Sequence, residues 1–153
     1  MNDSGESPKE RVDRELIELL QEMRVAITGV QVLFAFLLSM PFTQRFGSLS
    51  SDERRVHLLA TLSTAISSLL LIAPAANHRL LFREGIKEQL LRAANRLVIS
   101  GFFMLALGVV LSIYLVTAVV YSTTPAMLVA GAVALLTVFA WFVFPRILKE
   151  DAD

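Results

Sequence analysis

The chain has 153 residues, of which 55% are hydrophobic and only 18% charged, and its 14 basic and 14 acidic side chains cancel. A soluble domain carries about 25% charged residues, so this composition is unusually apolar, with a mean hydropathy of +0.62. The absence of cysteine excludes disulfides, thiolate catalysis and sulfur-ligated metals, and the lack of a basic segment interleaved with aromatics argues against nucleic-acid binding.

The charges fall in blocks. Residues 25–44, 56–78 and 97–145 contain no Asp, Glu, Lys or Arg, which leaves all 28 charges outside runs of 20, 23 and 49 residues. A bilayer accommodates such runs and a soluble core does not. The fold class expected is therefore all-α, an integral-membrane four-helix bundle.

In chain order, residues 1–9 (MNDSGESPK) read as a disordered N-terminus. The first 24 residues carry eleven charges ahead of any apolar run, the reverse of a secretory signal. Residues 10–24 read as an amphipathic helix, with Val12, Leu16, Leu20 and Met23 at helical spacing, that continues without a breaker into the membrane. At a rise of about 1.5 Å per residue, roughly 20 apolar residues cross the hydrocarbon layer. Within a transmembrane domain of residues 25–146, the spans are 25–42, 58–76, 97–120 and 125–144, followed by a tail at 147–153. The last two share the 49-residue block, divided at Tyr121-Ser122-Thr123-Thr124-Pro125, where Pro125 suits a helix start. Before the third span, Ile86, Leu90, Ala94 and Leu97 form another stripe, separated by Gly85 from the end of the second.

Lys and Arg set the orientation. Eleven of them lie in the N-terminal segment, the second connection and the C-terminus, against Arg45, Arg54 and Arg55 in the first connection and none in the last. Both termini are expected in the cytoplasm, with helical extensions on that side. The extensions either dock on each other, Glu15, Glu18 and Glu22 facing the arginines of the second connection, or lie on the membrane surface.

Small residues mark faces where helices approach closely in lipid: Ala35 and Ser39 on span one, Ala60, Thr64 and Ser68 on span two, Gly101, Gly108 and Ser112 on span three, and Ala126, Ala130 and Ala134 on span four. Pro74 cannot donate to the Leu70 carbonyl, a gap that Ser67, Ser68 or a water would fill.

Polar groups in or at the ends of the spans are the candidate site. Gln31 is the one large polar side chain well inside a span, about 9 Å beyond Val25 by helical rise. It reads either as an inter-helix hydrogen bond or as a pore or ligand contact. Glu22, Arg24, His78 and Arg79 share one depth at the cytoplasmic interface and read as snorkelling anchors or as a pH-responsive polar ring. Arg79, Arg83, Arg92 and Arg96 are candidate contacts for anionic lipid headgroups. His57 follows Glu53 at i+4, too few ligands for a metal. No phosphate loop, nucleophile elbow, His-Glu-x-x-His or intramembrane pair of aspartates is present, so no catalytic, cofactor or metal residues are assigned.

Residues 15–46 (ELIELLQEMRVAITGVQVLFAFLLSMPFTQRF) and 72–83 (IAPAANHRLLFR) resemble an uncharacterised, actinobacterial-type family of four-span membrane proteins catalogued as a domain of unknown function. The resemblance rests on Glu22-x-Arg24, Thr28-Gly29-Val30-Gln31, Pro41-Phe42, and Pro74 followed by His78-Arg79-x-x-Phe82. It implies the fold and a bacterial inner membrane, and no activity. The expectation is a non-enzymatic structural or partner-binding membrane component whose partners are membrane lipid and either further copies of itself or another membrane protein. The alternatives are a homo-oligomeric channel or small-solute pathway and, more weakly, an anionic-lipid-binding or membrane-stress protein.

Overall fold

The computed structural model describes residues 8–81, 87–144 and 146–147. Four antiparallel helices account for most of them: α1 (Pro8–Ser39), α2 (Ser51–Leu81), α3 (Lys87–Val120) and α4 (Thr123–Val138). The helices contain four stretches long and apolar enough to cross a membrane: Met23–Phe42, Ser51–Ala76, Leu91–Val120 and Thr123–Trp141. The second starts earlier than hydropathy alone indicates, because Ser50 and Glu53 form a reciprocal cap. The Ser50 N–H donates to Glu53 Oε2 at 2.7 Å and the Glu53 N–H to Ser50 Oγ at 3.2 Å, which nucleates α2 well before its charge-free run. α1 passes unbroken from its charged first turns into its apolar half.

The first connection is made of short 3₁₀ turns at Met40–Phe42 and Gln44–Ser48. The third is only Tyr121 and Ser122, and Pro125 sits in the first turn of α4, where its missing N–H has no helical acceptor to lose. Beyond α4, Phe139–Val143 forms a π turn closed by the Phe144 N–H on the Phe139 carbonyl. This turn carries Trp141 edge-on to Phe102 of α3, with ring centroids 5.6 Å apart.

The densest interface joins α2 and α3. On α3, Ala94, Val98, Gly101, Gly108, Ser112 and Leu115 are all buried, at the three- and four-residue steps of a left-handed helix pair. On α2, His57, Ala60, Thr64, Ser67, Leu71 and Pro74 follow the same steps and are also buried. A Cβ at Gly101 would stand 2.8 Å from Leu71 Cδ2, and one at Gly108 would stand 2.7 Å from Thr64 Cγ2. Glycine at those two positions is what lets the helices meet. Ser67 Oγ then donates across the seam to the Gly101 carbonyl at 2.8 Å. Ser67 therefore turns toward α3 and not toward the Leu70 carbonyl that Pro74 leaves without its helical donor.

α1 closes a third side, and Met23, Val30, Leu71 and Val98 form a buried cluster with Ala26, Ile27, Phe102 and Leu105 packed against it. The face expected to pack on span one, Ala35 and Ser39, is exposed, and α1 turns the larger Met23, Val30 and Leu37 inward instead. α4 packs through Ala126 and Ala130 on α3, and among the described residues no Cα of α4 comes within 8 Å of α1 or α2. The bundle is therefore open, three helices around one core with α4 laid against α3.

The Gly108→Ala variant should lose about 1–3 kcal/mol of stability through overpacking against Thr64, read as a lowered unfolding midpoint in detergent. Adding Thr64→Ser removes the offending methyl and should recover most of the loss. Gly29→Ala and Gly131→Ala, with nothing within 4 Å of the added Cβ, should not be destabilised.

Candidate functional site

The polar side chains of the apolar stretches gather on α2. Its inner face carries His57, Ser63, Thr64, Ser67 and Ser68, all buried. Hydroxyls of this kind are tolerated in an apolar layer because backbone carbonyls accept their protons. Thr61 Oγ1 donates to the His57 carbonyl at 2.8 Å, and Thr64 Oγ1 is shared between the carbonyls of Ala60 and Thr61 at 3.1 and 2.9 Å. On α3, Ser112 Oγ donates to the Gly108 carbonyl at 2.7 Å.

Gln31 lies beside this face, on the flank of α1. Its Nε2 donates to Ser68 Oγ at 3.4 Å, a part-buried inter-helix bond at the long limit of useful geometry, and the residue as a whole is exposed. Thr28, one turn before it, donates back to the Arg24 carbonyl at 3.0 Å. Arg24 itself is exposed at the end of the span. Glu22, His78 and Arg79 belong to α1 and α2, but their side chains lie outside the described residues, as does all of Arg83. The polar ring is thus represented here by Arg24 alone. Arg92 and Arg96 are exposed near the start of α3. Glu15 and Glu18 pair within α1, with Arg11 at 2.7 Å and Arg14 at 3.2 Å.

Sequence reasoning missed the best-defined polar contact. Pro41 has no N–H to give the Leu37 carbonyl four residues earlier, so the end of α1 loses a helical hydrogen bond. The His57 ring of α2 fills the gap, with Nε2 2.9 Å from the Leu37 oxygen. Because a carbonyl only accepts, Nε2 carries the proton. Phe46 stands edge-on to the imidazole at 5.0 Å, and the Arg54 guanidinium lies 6.0 Å from the Phe46 ring while donating to the Gly47 carbonyl at 2.9 Å. The signal was legible in principle, as a proline four residues after an apolar residue and a histidine at the facing end of the next helix. Glu53 is held in the helix cap, and no group of three metal-ligating side chains occurs among the described residues.

Next to this cap, Met40, Phe46, Leu49, Leu115, Val116 and Val119 line an apolar groove of about 190 Å³ with Arg45 at its edge.

A model for a family of unknown function, DUF6328, matches residues 5–145. The chain belongs to that family. The DUF6328 match extends beyond both segments that carry the resemblance, and takes in all four helices and the His57, Gln31 and Ser68 positions. No curated protein matches the chain, and no solved structure does.

His57→Phe keeps a ring in place but leaves the Leu37 carbonyl without the imidazole N–H, a loss of about 1–3 kcal/mol expected as a lower unfolding midpoint. Pro41→Ala restores a backbone N–H just past the end of α1, within reach of the Leu37 carbonyl, so the double variant should lose less than the sum of the two single changes.

Proposed function

We propose that the chain is a multi-pass membrane protein of the bacterial inner membrane, with both termini in the cytoplasm, and that it works as a non-enzymatic structural or partner-binding component. The observation that carries this reading is the closed α2–α3 seam. Leu71, Leu115 and Thr64 are fully buried there, and glycines bring the helices together where a lumen would otherwise run. One copy has no path for a solute through that interface.

Two further features support the reading. The outward surface is apolar on every helix, with Val25, Phe36, Leu69, Phe103, Leu128 and Leu135 among the exposed side chains, as suits contact with lipid or partner helices. Apart from Ser68, which accepts from Gln31, the bonded hydroxyls of α2 and α3 donate to carbonyls, and His57 is likewise held on a carbonyl and not on a hydroxyl or carboxylate it could activate. Exposure of Arg92 and Arg96 beside a charge-free span accommodates anionic headgroups as a secondary role.

The chain has no cysteine, so single cysteines report topology without background. Asp3→Cys and Ala152→Cys should be shielded from an impermeant maleimide in intact cells, and Gly47→Cys should be labelled. Labelling of either terminus would overturn the orientation. Reconstituted in vesicles, the protein should pass ions no faster than empty vesicles do. A flux that Gln31→Leu abolishes would replace the structural reading with the channel.

A further inference from the structure

Gln31 sits about 12 Å along the span from Met23, near the middle of the apolar layer. A primary amide offers two N–H donors and a carbonyl oxygen. Among the described residues its one hydrogen bond is the long contact to Ser68, which uses a single N–H. The second N–H and the carbonyl oxygen are left on a surface that faces hydrocarbon, where no water can satisfy them. An outward amide at that depth needs a polar partner from outside the chain.

The surroundings indicate which partner. Thr28, Gln31, Ala35 and Leu38 are all exposed and follow steps of three, four and three residues, the spacing of a left-handed helix pair. The amide is flanked one turn on each side by a small residue, Thr28 and Ala35. Thr28 already has its hydroxyl proton on the Arg24 carbonyl, so it offers low bulk without a competing donor. α1 buries Met23, Val30 and Leu37 in the three-helix core, and this stripe runs along the exposed flank beside them, bonded to α2 through Gln31 and Ser68.

Building on the partner-binding reading above, we propose that this face of α1 is where a second copy of the same chain docks, in parallel and about a two-fold axis normal to the membrane. An amide is its own complement: across a two-fold, each Gln31 gives its second N–H to the other's carbonyl oxygen, so both are satisfied by one isologous contact. Ser68 keeps the first N–H and fixes the direction of the side chain. Arg24 is the next position of the stripe, and it lies at the end of the span, where its long side chain reaches water and the like charges need not meet. The pair encloses no lumen, since its axis is occupied by the bonded amides.

The test uses the full chain in lipid vesicles. Ala35→Cys, in the naturally cysteine-free background, should form a disulfide-linked dimer on mild oxidation. Leu135→Cys, equally lipid-facing on α4, should not. Gln31→Leu in the Ala35→Cys chain should lower the dimer yield about tenfold, and Gln31→Asn should retain most of it. Crosslinking of Ala35→Cys no better than of Leu135→Cys, or a yield indifferent to Gln31→Leu, would overturn the interface. If Gln31→Leu fails to accumulate, the comparison of the two cysteine positions still decides. Ion-tight vesicles without the dimer would end this inference and leave the structural reading standing, whereas leaky vesicles would end that reading whatever the crosslink shows.

Discussion

Two missing β-carbons hold this molecule together. At Gly101 and Gly108 an added methyl would strike Leu71 and Thr64 at under 3 Å, so α2 and α3 reach their separation only because nothing is there. In lipid no hydrophobic force drives helices together, and contact distance decides how much dispersion attraction a pair gains. The same closeness brings Ser67 within reach of the Gly101 carbonyl, leaves no lumen, and makes α2 the most enclosed of the four helices, with 39% of its apolar window buried against 11% for each of the others. α1 and α4 then have only the outside of that pair to pack on.

A second rule runs through the polar groups. Inside an apolar layer each hydroxyl, amide or ring N–H must find a partner within the protein, and here the partners are mostly carbonyls. The clearest case is a repair between helices, in which a proline withdraws a donor from α1 and an imidazole from α2 supplies one. The exception is Gln31, whose amide is only partly met by Ser68. The contrast between a satisfied interior and one unsatisfied outward amide is what gives the α1 surface its meaning.

Charge-free runs, with Pro41 and Pro125 near their breaks, made the four helices legible from the sequence alone, because a charge-free stretch of that length suits a membrane span. The packing faces of α2, α3 and α4 were legible too, since Ala60, Thr64, Gly101, Gly108 and Ala126 are small where bulk would keep helices apart. The same logic failed on α1. Ala35 and Ser39 are small but face outward, while Met23, Val30 and Leu37 fill the wider gap between α1 and the α2–α3 pair. Size tells how closely a face can be approached and not by whom. The His57 contact escaped because it depends on a register between two helices. The early start of α2 escaped because hydropathy is blind to a cap made by Ser50 and Glu53.

The two-residue link between α3 and α4 has a consequence for how the protein is made. Tyr121 and Ser122 carry no charge, and neither do residues 97–120 of α3 or any residue of α4. Between Arg96 and Arg146 a membrane-insertion machinery meets nothing with which to hold one helix while the other waits. In a membrane setting, α3 and α4 enter as a single hairpin whose direction is set wholly by its two open ends. The second of those ends, at Arg146, is synthesised only after both helices are complete.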